Sequence, residues 1–87
     1  MVLPLVLVII EIKNMKIQYP EIGKLYDHYK GGRYEVITLA KHSETDETLV
    51  IYKSIHFGSV HARPLSMWFE MVAISGQAGI QRFVPVK

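Results

Sequence analysis

The sequence contains no cysteine. This absence excludes a disulfide framework, a thiolate nucleophile and a zinc site of the cysteine type. Because nothing in the chain requires an oxidising compartment, we expect it to be cytoplasmic. A chain of 87 residues forms one domain with a single small core, since proteins of this size bury about 60 to 65% of the surface that the unfolded chain exposes.

Long hydrophobic runs are also missing. The most apolar stretch lies near the N-terminus, where a run from Leu5 to Ile10 is bounded by Pro4 and Glu11. This run is too short to cross a bilayer, which needs about 20 apolar residues, and it lacks the basic region and cleavage site of a signal peptide. We therefore predict no membrane partner.

We interpret residues 1–14 as a hydrophobic leader or an extra strand, and residues 15–87 as the single domain. The leader is rich in β-branched residues, so an extra strand there is suited to pairing with a second copy of the chain. One expected partner is therefore a second copy of this chain, bound through the N-terminal strand in a homo-oligomer. Another interpretation is that Met15 is the natural start of the chain.

An excess of charge of one sign is absent as well. Ten basic residues stand against eight acidic ones, and the basic residues are scattered from Lys13 to Lys87. Surfaces that bind nucleic acids usually cluster lysine and arginine on one face, because each neutralised phosphate adds to the affinity. Nucleic-acid binding is therefore an alternative and not the leading hypothesis.

What the chain does contain is a series of short β-prone segments separated by turn residues. Gly31 and Gly32 supply the positive φ angles that a tight hairpin needs. The segment LSMWFEMV, 65–72, fits both a helical stripe and strand alternation, and we predict one helical turn followed by a strand. A loop is expected at 76–79 and a last extended segment after it. The predicted fold is all-β, a small SH3-like barrel of about five short strands with at most one short helical turn.

The segment RYEVITLAKH, 33–42, is the longest predicted strand. Strict alternation places Tyr34 and Val36 on one side with Thr38, and Ile37 and Leu39 on the other. Because both sides contain apolar residues, we expect partial burial of both faces. The core is expected to form around four apolar side chains: Tyr34, Val36, Ile51 and Phe69.

The polar run HSETDE, 42–47, contains a histidine, a serine and three carboxylates, which is a composition typical of hydrolase sites. Neighbouring residues at a strand end point to opposite faces, so His42 and Ser43 are poorly placed to act as base and nucleophile. No G-x-S-x-G motif occurs either. We predict a solvated turn in which His42 bonds to the backbone, no catalytic residue, and a protein that is not an enzyme.

The blocks GKLYDHYKGGRYEV, KHSETDET, ARPLSMWF and the late pair RF, between residues 23 and 83, resemble a bacterial family of domains of unknown function, number 1653 in its series. The resemblance implies an SH3-type barrel of unknown activity. Before Arg63 the family often carries a tryptophan, whereas this chain has His61 and Ala62, which weakens the expectation of an aromatic platform there. The characteristic positions of the family fall here at His28, Tyr29, Lys30, Gly31, Tyr34, Val36, His42, Ser43, Glu44, Thr45, Tyr52, Arg63, Pro64, Phe69, Arg82 and Phe83.

The four histidines match no zinc-finger or helical metal-binding spacing, so neither a metal nor a cofactor is expected. Arg63 and Arg82 lie in aromatic-rich segments, where a guanidinium can stack on a ring or clamp a carboxylate of a ligand. The structural interpretation, which we favour for them, is an internal ion pair with one of three acidic residues. These are Glu35, Glu44 and Glu70.

The tyrosines and Trp68 either fill the core or form an amphipathic groove for extended peptides, and for Tyr34 and Phe69 we favour the core. We predict a binding or adaptor module whose partner is a protein, a peptide or a nucleic acid. An enzyme acting on a small anionic substrate, with His42 as base and Arg63 as electrophile, is the last-ranked alternative. The residues predicted to face the ligand are His28, Lys30, His42, Tyr52 and Arg63.

Overall fold

The computed structural model describes residues 18–74 and 77–87. The leader predicted at residues 1–14 lies outside this range. The described chain contains one short helix and seven strands, and no helix within it is long and apolar enough to cross a membrane. In chain order the elements are β1 (Leu25–His28), β2 (Arg33–Lys41), β3 (Thr48–Ser54), β4 (Val60–Pro64), α1 (Leu65–Trp68), β5 (Met71–Ile74), β6 (Gln77–Gln81) and β7 (Phe83–Pro85).

Five of the strands form one antiparallel sheet in the order β4-β3-β2-β1-β7, and β5 pairs with β6 in a separate hairpin. The predicted all-β class with one short helical turn is confirmed. Within 18–74 and 77–87 no hydrogen-bonded ladder joins β4 to β7, so this sheet is open at both edges. Closure into an SH3-like barrel stays a prediction.

Glycines make the tight turn between β1 and β2. Gly31 and Gly32 have φ angles of 102° and 91°, values that side chains rarely adopt. The Gly31 amide donates to the His28 carbonyl at 2.8 Å, and the His28 amide donates to the Gly32 carbonyl at 3.0 Å. The predicted reversal at this position is confirmed, and it places His28 at the end of β1.

The polar run 42–47 is the turn between β2 and β3, as predicted. The His42 amide donates to the Glu47 carbonyl at 2.8 Å, and the Asp46 amide donates to the His42 carbonyl at 2.8 Å. The imidazole Nδ1 of His42 accepts the backbone amides of Glu44 at 3.1 Å and Thr45 at 3.4 Å. The expectation that His42 bonds to the backbone at a strand end is confirmed.

A β-bulge at Ile37 changes the pattern of the longest strand. Val36 pairs with Tyr52, but Thr38 pairs with Ile51, so Ile37 is the extra residue. Because of the bulge, the side chain on the inward face after Val36 is that of Leu39 and not that of Thr38, and Leu39 packs against the core. The strict alternation predicted for this strand is therefore wrong after Ile37, and the mixed pattern reflects the bulge.

Aromatic rings dominate the core on one face of the large sheet. Trp68 of α1 stacks on Phe83 with the ring centroids 3.8 Å apart and the planes 5° apart. Tyr26 and Tyr52 meet Trp68 edge to face, at 5.4 and 5.1 Å. Each such buried side chain stabilises the fold by roughly 1.5 to 3 kcal/mol. The buried apolar residues are Tyr26, Val36, Val50, Tyr52, Trp68 and Phe83.

The predicted core members are only partly correct. Val36 is fully buried, and Tyr34 and Phe69 pack against the cluster as partly buried side chains. Ile51 is not a member, because the register places Val50 and Tyr52 on the inward face and Ile51 on the other. Alternation along β3 does not itself tell which face is inside.

The segment after β4 is a helical turn followed by a strand, as predicted. Pro64 precedes Leu65 with φ at −54° and ψ at 136°, so the chain leaves β4 extended and enters α1. The loop predicted at 76–79 is wrong in part, since β6 begins at Gln77. Gly79 lies against Met71, where an added Cβ would come within 3.1 Å of the Met71 Cβ. This glycine permits a close strand contact and does not mark a loop.

Candidate functional site

A cavity of about 220 Å³ lies on the same face of the large sheet as the core. The register places Tyr52 opposite both Val36 and His61, and His28 opposite Phe83, so side chains from neighbouring strands converge there. Phe83 also stacks on Trp68, so the floor of the cavity adjoins the core. The lining residues are His28, Tyr34, Tyr52, His61, Arg63 and Phe83.

The walls of the cavity are aromatic rings that hold one another in place. Tyr34 meets Tyr52 edge to face at 5.4 Å, and His28 meets Phe83 edge to face at 4.9 Å. His61 stacks on Tyr52 with the ring centroids 5.4 Å apart and the planes at 28°. Because edge-to-face and stacked pairs restrict ring rotation, the shape of the cavity is largely preformed.

Arg63 is the charged group of the cavity. Its Nε donates to the Tyr52 hydroxyl at 3.3 Å, and its Cζ lies 5.6 Å from the centre of the Phe83 ring. The ion pairs found within 18–74 and 77–87 do not include Arg63, and none of the lining residues is a carboxylate. In the described part of the chain its positive charge has an aromatic neighbour and no counter-charge.

His28 adds a neutral donor beside this charge. Its Nδ1 accepts the backbone amide of Lys30 at 3.1 Å, so the neutral ring carries its proton on Nε2. Burial lowers the pKa of His28 from its ordinary value of 6.5, and the positive charges of Arg63, Arg82 and Lys30 lower it further. At neutral pH the ring is therefore uncharged and Nε2–H remains its donor.

The hydrogen-bonding groups of the cavity are mostly donors. The Tyr52 oxygen accepts from Arg63, which leaves its own proton free to donate. The guanidinium of Arg63 has further N–H groups beyond Nε, and a guanidinium cannot accept. A group with several acceptor atoms and negative charge is the chemical complement of this set, because charge-assisted hydrogen bonds are the stronger ones.

The structure brings together three of the five residues predicted to face a ligand. His28, Tyr52 and Arg63 line the cavity. Lys30 lies in the adjacent turn, where its backbone supports His28 and its Nζ lies 5.7 Å from the centre of the Tyr29 ring. His42 lies in the β2–β3 turn and does not line the cavity.

Sequence reasoning missed three lining residues: Tyr34, His61 and Phe83. The sequence favours the core for Tyr34, and it does not reveal the strand that contains His61. A cross-strand register would have found them, because Tyr34 and His61 both lie on the inward face next to Tyr52. His61 lies in the segment before Arg63 where the family often carries a tryptophan. Its imidazole supplies an aromatic ring that stacks on Tyr52.

Arg82 differs from Arg63. Its Nη2 lies 3.3 Å from Glu70 Oε1, and its amide donates to the Glu70 carbonyl at 3.0 Å. The internal ion pair that we favoured for both arginines is therefore present for Arg82. For Arg63 it is absent among the described residues.

The described residues offer little for metal binding or nucleophilic catalysis. In 18–74 and 77–87 no three histidine, aspartate or glutamate side chains gather as a metal site would require. Ser59 Oγ lies 2.9 Å from His61 Nε2, which is the distance of a nucleophile and its base. Both residues are exposed, and no carboxylate hydrogen-bonds to His61 in this part of the chain to orient it.

Comparison with known proteins gives a family and no activity. The family model described as "Protein of unknown function (DUF1653)" matches residues 24–85. A crystal structure of a DUF1653 protein from Bordetella bronchiseptica is similar to this chain at 32% identity and a TM-score of 0.68, covering 82% of this chain and 92% of that one. No curated protein matches. The chain belongs to the DUF1653 family of proteins of unknown function.

Proposed function

We propose that the protein is a non-enzymatic binding module that takes up an anionic group of its ligand in the cavity around Arg63. The observation that carries the proposal is the Arg63 guanidinium, which lies among aromatic rings with no carboxylate among the lining residues. A guanidinium in a partly apolar surrounding binds a carboxylate or a phosphate through two parallel hydrogen bonds. His28 and the Tyr52 hydroxyl supply further donors.

The cavity around Arg63, taken alone, holds one group of a ligand and not a whole drug-sized molecule. Sites that enclose a drug-sized ligand measure about 300 to 1,000 Å³. The volume around Arg63 is about 220 Å³, which is enough for a carboxylate or phosphate and a few attached atoms. This supports an adaptor that binds a charged chain end or a charged side chain of its partner.

An enzyme acting on a small anionic substrate has less support. Its hypothetical base, His42, lies in the β2–β3 turn, where Nδ1 accepts two backbone amides. Its hypothetical electrophile, Arg63, lies in the cavity, which His42 does not line. A general base must come within about 3.2 Å of the atom whose proton it removes.

Nucleic-acid binding also has less support, because two of the three arginines in 18–74 and 77–87 are in ion pairs and no lysine lines the Arg63 cavity. Arg33 binds Asp27 with Nε–Oδ1 and Nη2–Oδ2 distances of 2.9 and 3.3 Å, and Arg82 binds Glu70. A polynucleotide requires several unpaired cations along its path. Binding of a nucleic acid would be recognised by a steep salt dependence.

The test measures how anions stabilise the folded chain. Urea unfolding is followed in sodium phosphate, in sodium acetate and in sodium chloride at equal ionic strength. At ten times the dissociation constant a bound anion raises the free energy of unfolding by about 1.4 kcal/mol. We expect this gain in the wild type and in the Lys53→Met variant, whose exposed cation lines no cavity.

The Arg63→Met variant should lose the gain. General effects of salt on stability act equally on both variants, so their difference isolates the cavity. An equal gain in Arg63→Met and Lys53→Met would contradict the proposal.

A further inference from the structure

A second cavity, of about 630 Å³, lies next to the first. Tyr34 lines both cavities, so the two are adjacent at this side chain. The second cavity is formed by the start of β2 and by the loop after β3, and Ile55 and Phe57 are its apolar members. We interpret the pair as one groove that is donor-rich at Arg63 and apolar at Phe57.

The apolar end is held in a fixed shape. The Phe57 amide donates to Ser54 Oγ at 3.0 Å, and the Gly58 amide donates to the Ser54 carbonyl at 2.8 Å. Gly58 has a φ of 74°, which completes the tight loop. Phe57 is nevertheless 82% exposed and Ile55 51% exposed. Two large apolar side chains that line one cavity and are both exposed to water suit a contact surface.

Tyr34 is also fixed where the two cavities meet. An added Cβ at Gly32 would come within 3.2 Å of the Tyr34 ring, and Gly32 has a φ of 91°. Glycine at this turn therefore leaves room for the ring. Because Tyr34 also meets Tyr52 edge to face, it forms a rigid bridge between the ends of the groove.

The register gives the length of the groove. Arg63 pairs with Val50, and Tyr34 pairs with Ser54, which directly precedes Ile55. Four to five residues of β3 therefore separate the two ends, a distance of about 13 to 17 Å at the rise of a strand. An extended ligand covers this distance with four or five residues of its own.

Resting on the proposed function, we infer that the ligand is an extended peptide segment with a carboxylate at Arg63 and a large apolar side chain about four residues away at Phe57. Charge complementarity supports the carboxylate, and the apolar end supports the side chain. A polynucleotide fits less well, because Arg33 in the second cavity is already paired with Asp27. A free C-terminus and an acidic side chain both supply this carboxylate.

The experiment uses three synthetic pentapeptides, each labelled with a fluorophore at the N-terminal amine. The first has phenylalanine at the first position, a spacer of glycine and serine, and a free C-terminal carboxylate. The second replaces phenylalanine with alanine. The third keeps phenylalanine, has an amidated C-terminus and carries aspartate at the last position. Fluorescence anisotropy gives their dissociation constants.

We expect the phenylalanine peptide to bind about tenfold more tightly than the alanine peptide, as burial of one aromatic side chain predicts. The Phe57→Ser variant should remove most of this difference and leave the alanine peptide unaffected. Ile22→Ser is the matched control, since Ile22 is 63% exposed and lines neither cavity. The relative affinity of the third peptide distinguishes a C-terminal carboxylate from an acidic side chain.

The outcomes separate the two proposals. If all three peptides bind equally in wild type and Phe57→Ser but depend on Arg63, the peptide inference is overturned and the anion cavity stands. If the peptides do not bind and anions do not stabilise the wild type more than Arg63→Met, both are overturned. Tighter binding of a labelled single-stranded DNA or RNA, with a steep salt dependence, would overturn the peptide inference in favour of a nucleic acid.

Discussion

The β2–β3 turn and the Arg63 cavity contain similar residue types and use them differently. In the turn, Nδ1 of His42 accepts hydrogen bonds from two backbone amides. The backbone of His42 also bonds to the backbone of Asp46 and Glu47. In the cavity, His28 and Tyr52 have donors left over, and Arg63 has no counter-charge among the described residues. Local satisfaction of the His42 hydrogen bonds thus supports a structural role for the turn, whereas the unused donors of the cavity support the binding role proposed for it.

The largest expected difference concerns anion affinity. Arg63→Met removes charge-assisted hydrogen bonds worth about 1.5 to 3 kcal/mol, which corresponds to roughly 10- to 100-fold weaker binding of the carboxylate peptide. His42→Ala should leave the affinity within about twofold of the wild type, because the turn lies outside the cavity. Anisotropy titrations measure both, with Lys53→Met as the control for net charge. Equal losses of peptide affinity in Arg63→Met and His42→Ala would contradict the view that the cavity binds the ligand and the turn does not.

Stability should show the opposite order. His42→Ala leaves two turn amides without their acceptor, and we expect the free energy of unfolding to fall by about 1 kcal/mol. Arg63→Met should change it by less than about 0.5 kcal/mol, since the arginine makes one hydrogen bond to Tyr52 and no ion pair among the described residues. Urea unfolding at neutral pH checks both values. A larger loss of stability in Arg63→Met than in His42→Ala would indicate that Arg63 serves mainly to stabilise the fold.

The pH dependence gives a smaller effect. The pKa of His28 is lowered below its ordinary value of 6.5, first by burial and then by three nearby cations. Between the folded and unfolded pKa values the unfolded chain binds more protons, so this histidine makes stability fall as the pH drops below 6.5. A bound anion offsets the neighbouring positive charges and favours the imidazolium. Anion affinity should therefore rise as the pH drops through the same range.

Sulfate is a suitable probe because it does not titrate near neutral pH. We expect its affinity to increase roughly threefold between pH 7.5 and 5.5, from a modest upward shift of the His28 pKa on binding. The His28→Gln variant should lose most of this increase, and the His42→Ala variant should keep it. An unchanged pH dependence in His28→Gln would assign the effect to other groups.

The smallest effect is expected for the Asp46→Gly variant, at a position where the φ angle is 61°. Asp46→Gly should raise or lower the free energy of unfolding by less than about 0.5 kcal/mol, because glycine adopts this angle without strain. Asp46→Val should lower it by about 1 kcal/mol or more, since a β-branched residue is strained there. Thermal unfolding measures both. A loss of peptide affinity in Asp46→Gly would assign the acidic turn a role in binding.

Local chemistry explains which parts of the fold were predictable. The Gly31–Gly32 reversal and the 42–47 turn follow from residues with special backbone or capping preferences. The bulge at Ile37 and the strand β6 around Gly79 were not predictable in this way. Each depends on what lies across the sheet, namely the shift from Tyr52 to Ile51 and the contact with Met71.

The same limit applies to the candidate site. His28, Tyr52 and Arg63 were predicted from their residue types and the family resemblance, while His61 and Phe83 enter the cavity through strand pairings that a single sequence does not reveal. The two arginines show the limit most clearly. Both stand in aromatic-rich segments, yet Arg82 pairs with Glu70, whereas Arg63 lies near the Phe83 ring and bonds to Tyr52.

The most direct test observes the Arg63 side chain itself. In a ¹H–¹⁵N spectrum of the full chain, sodium sulfate is added at constant ionic strength, with sodium chloride as the exchanged salt. We predict that the Nε–H signal of Arg63 and the amides of Tyr52 and His61 shift together and saturate, while those of His42 and Glu44 stay in place. Shifts of equal size at Arg63, Arg33 and the turn amides, or no saturation at Arg63, would contradict an anion site in the cavity.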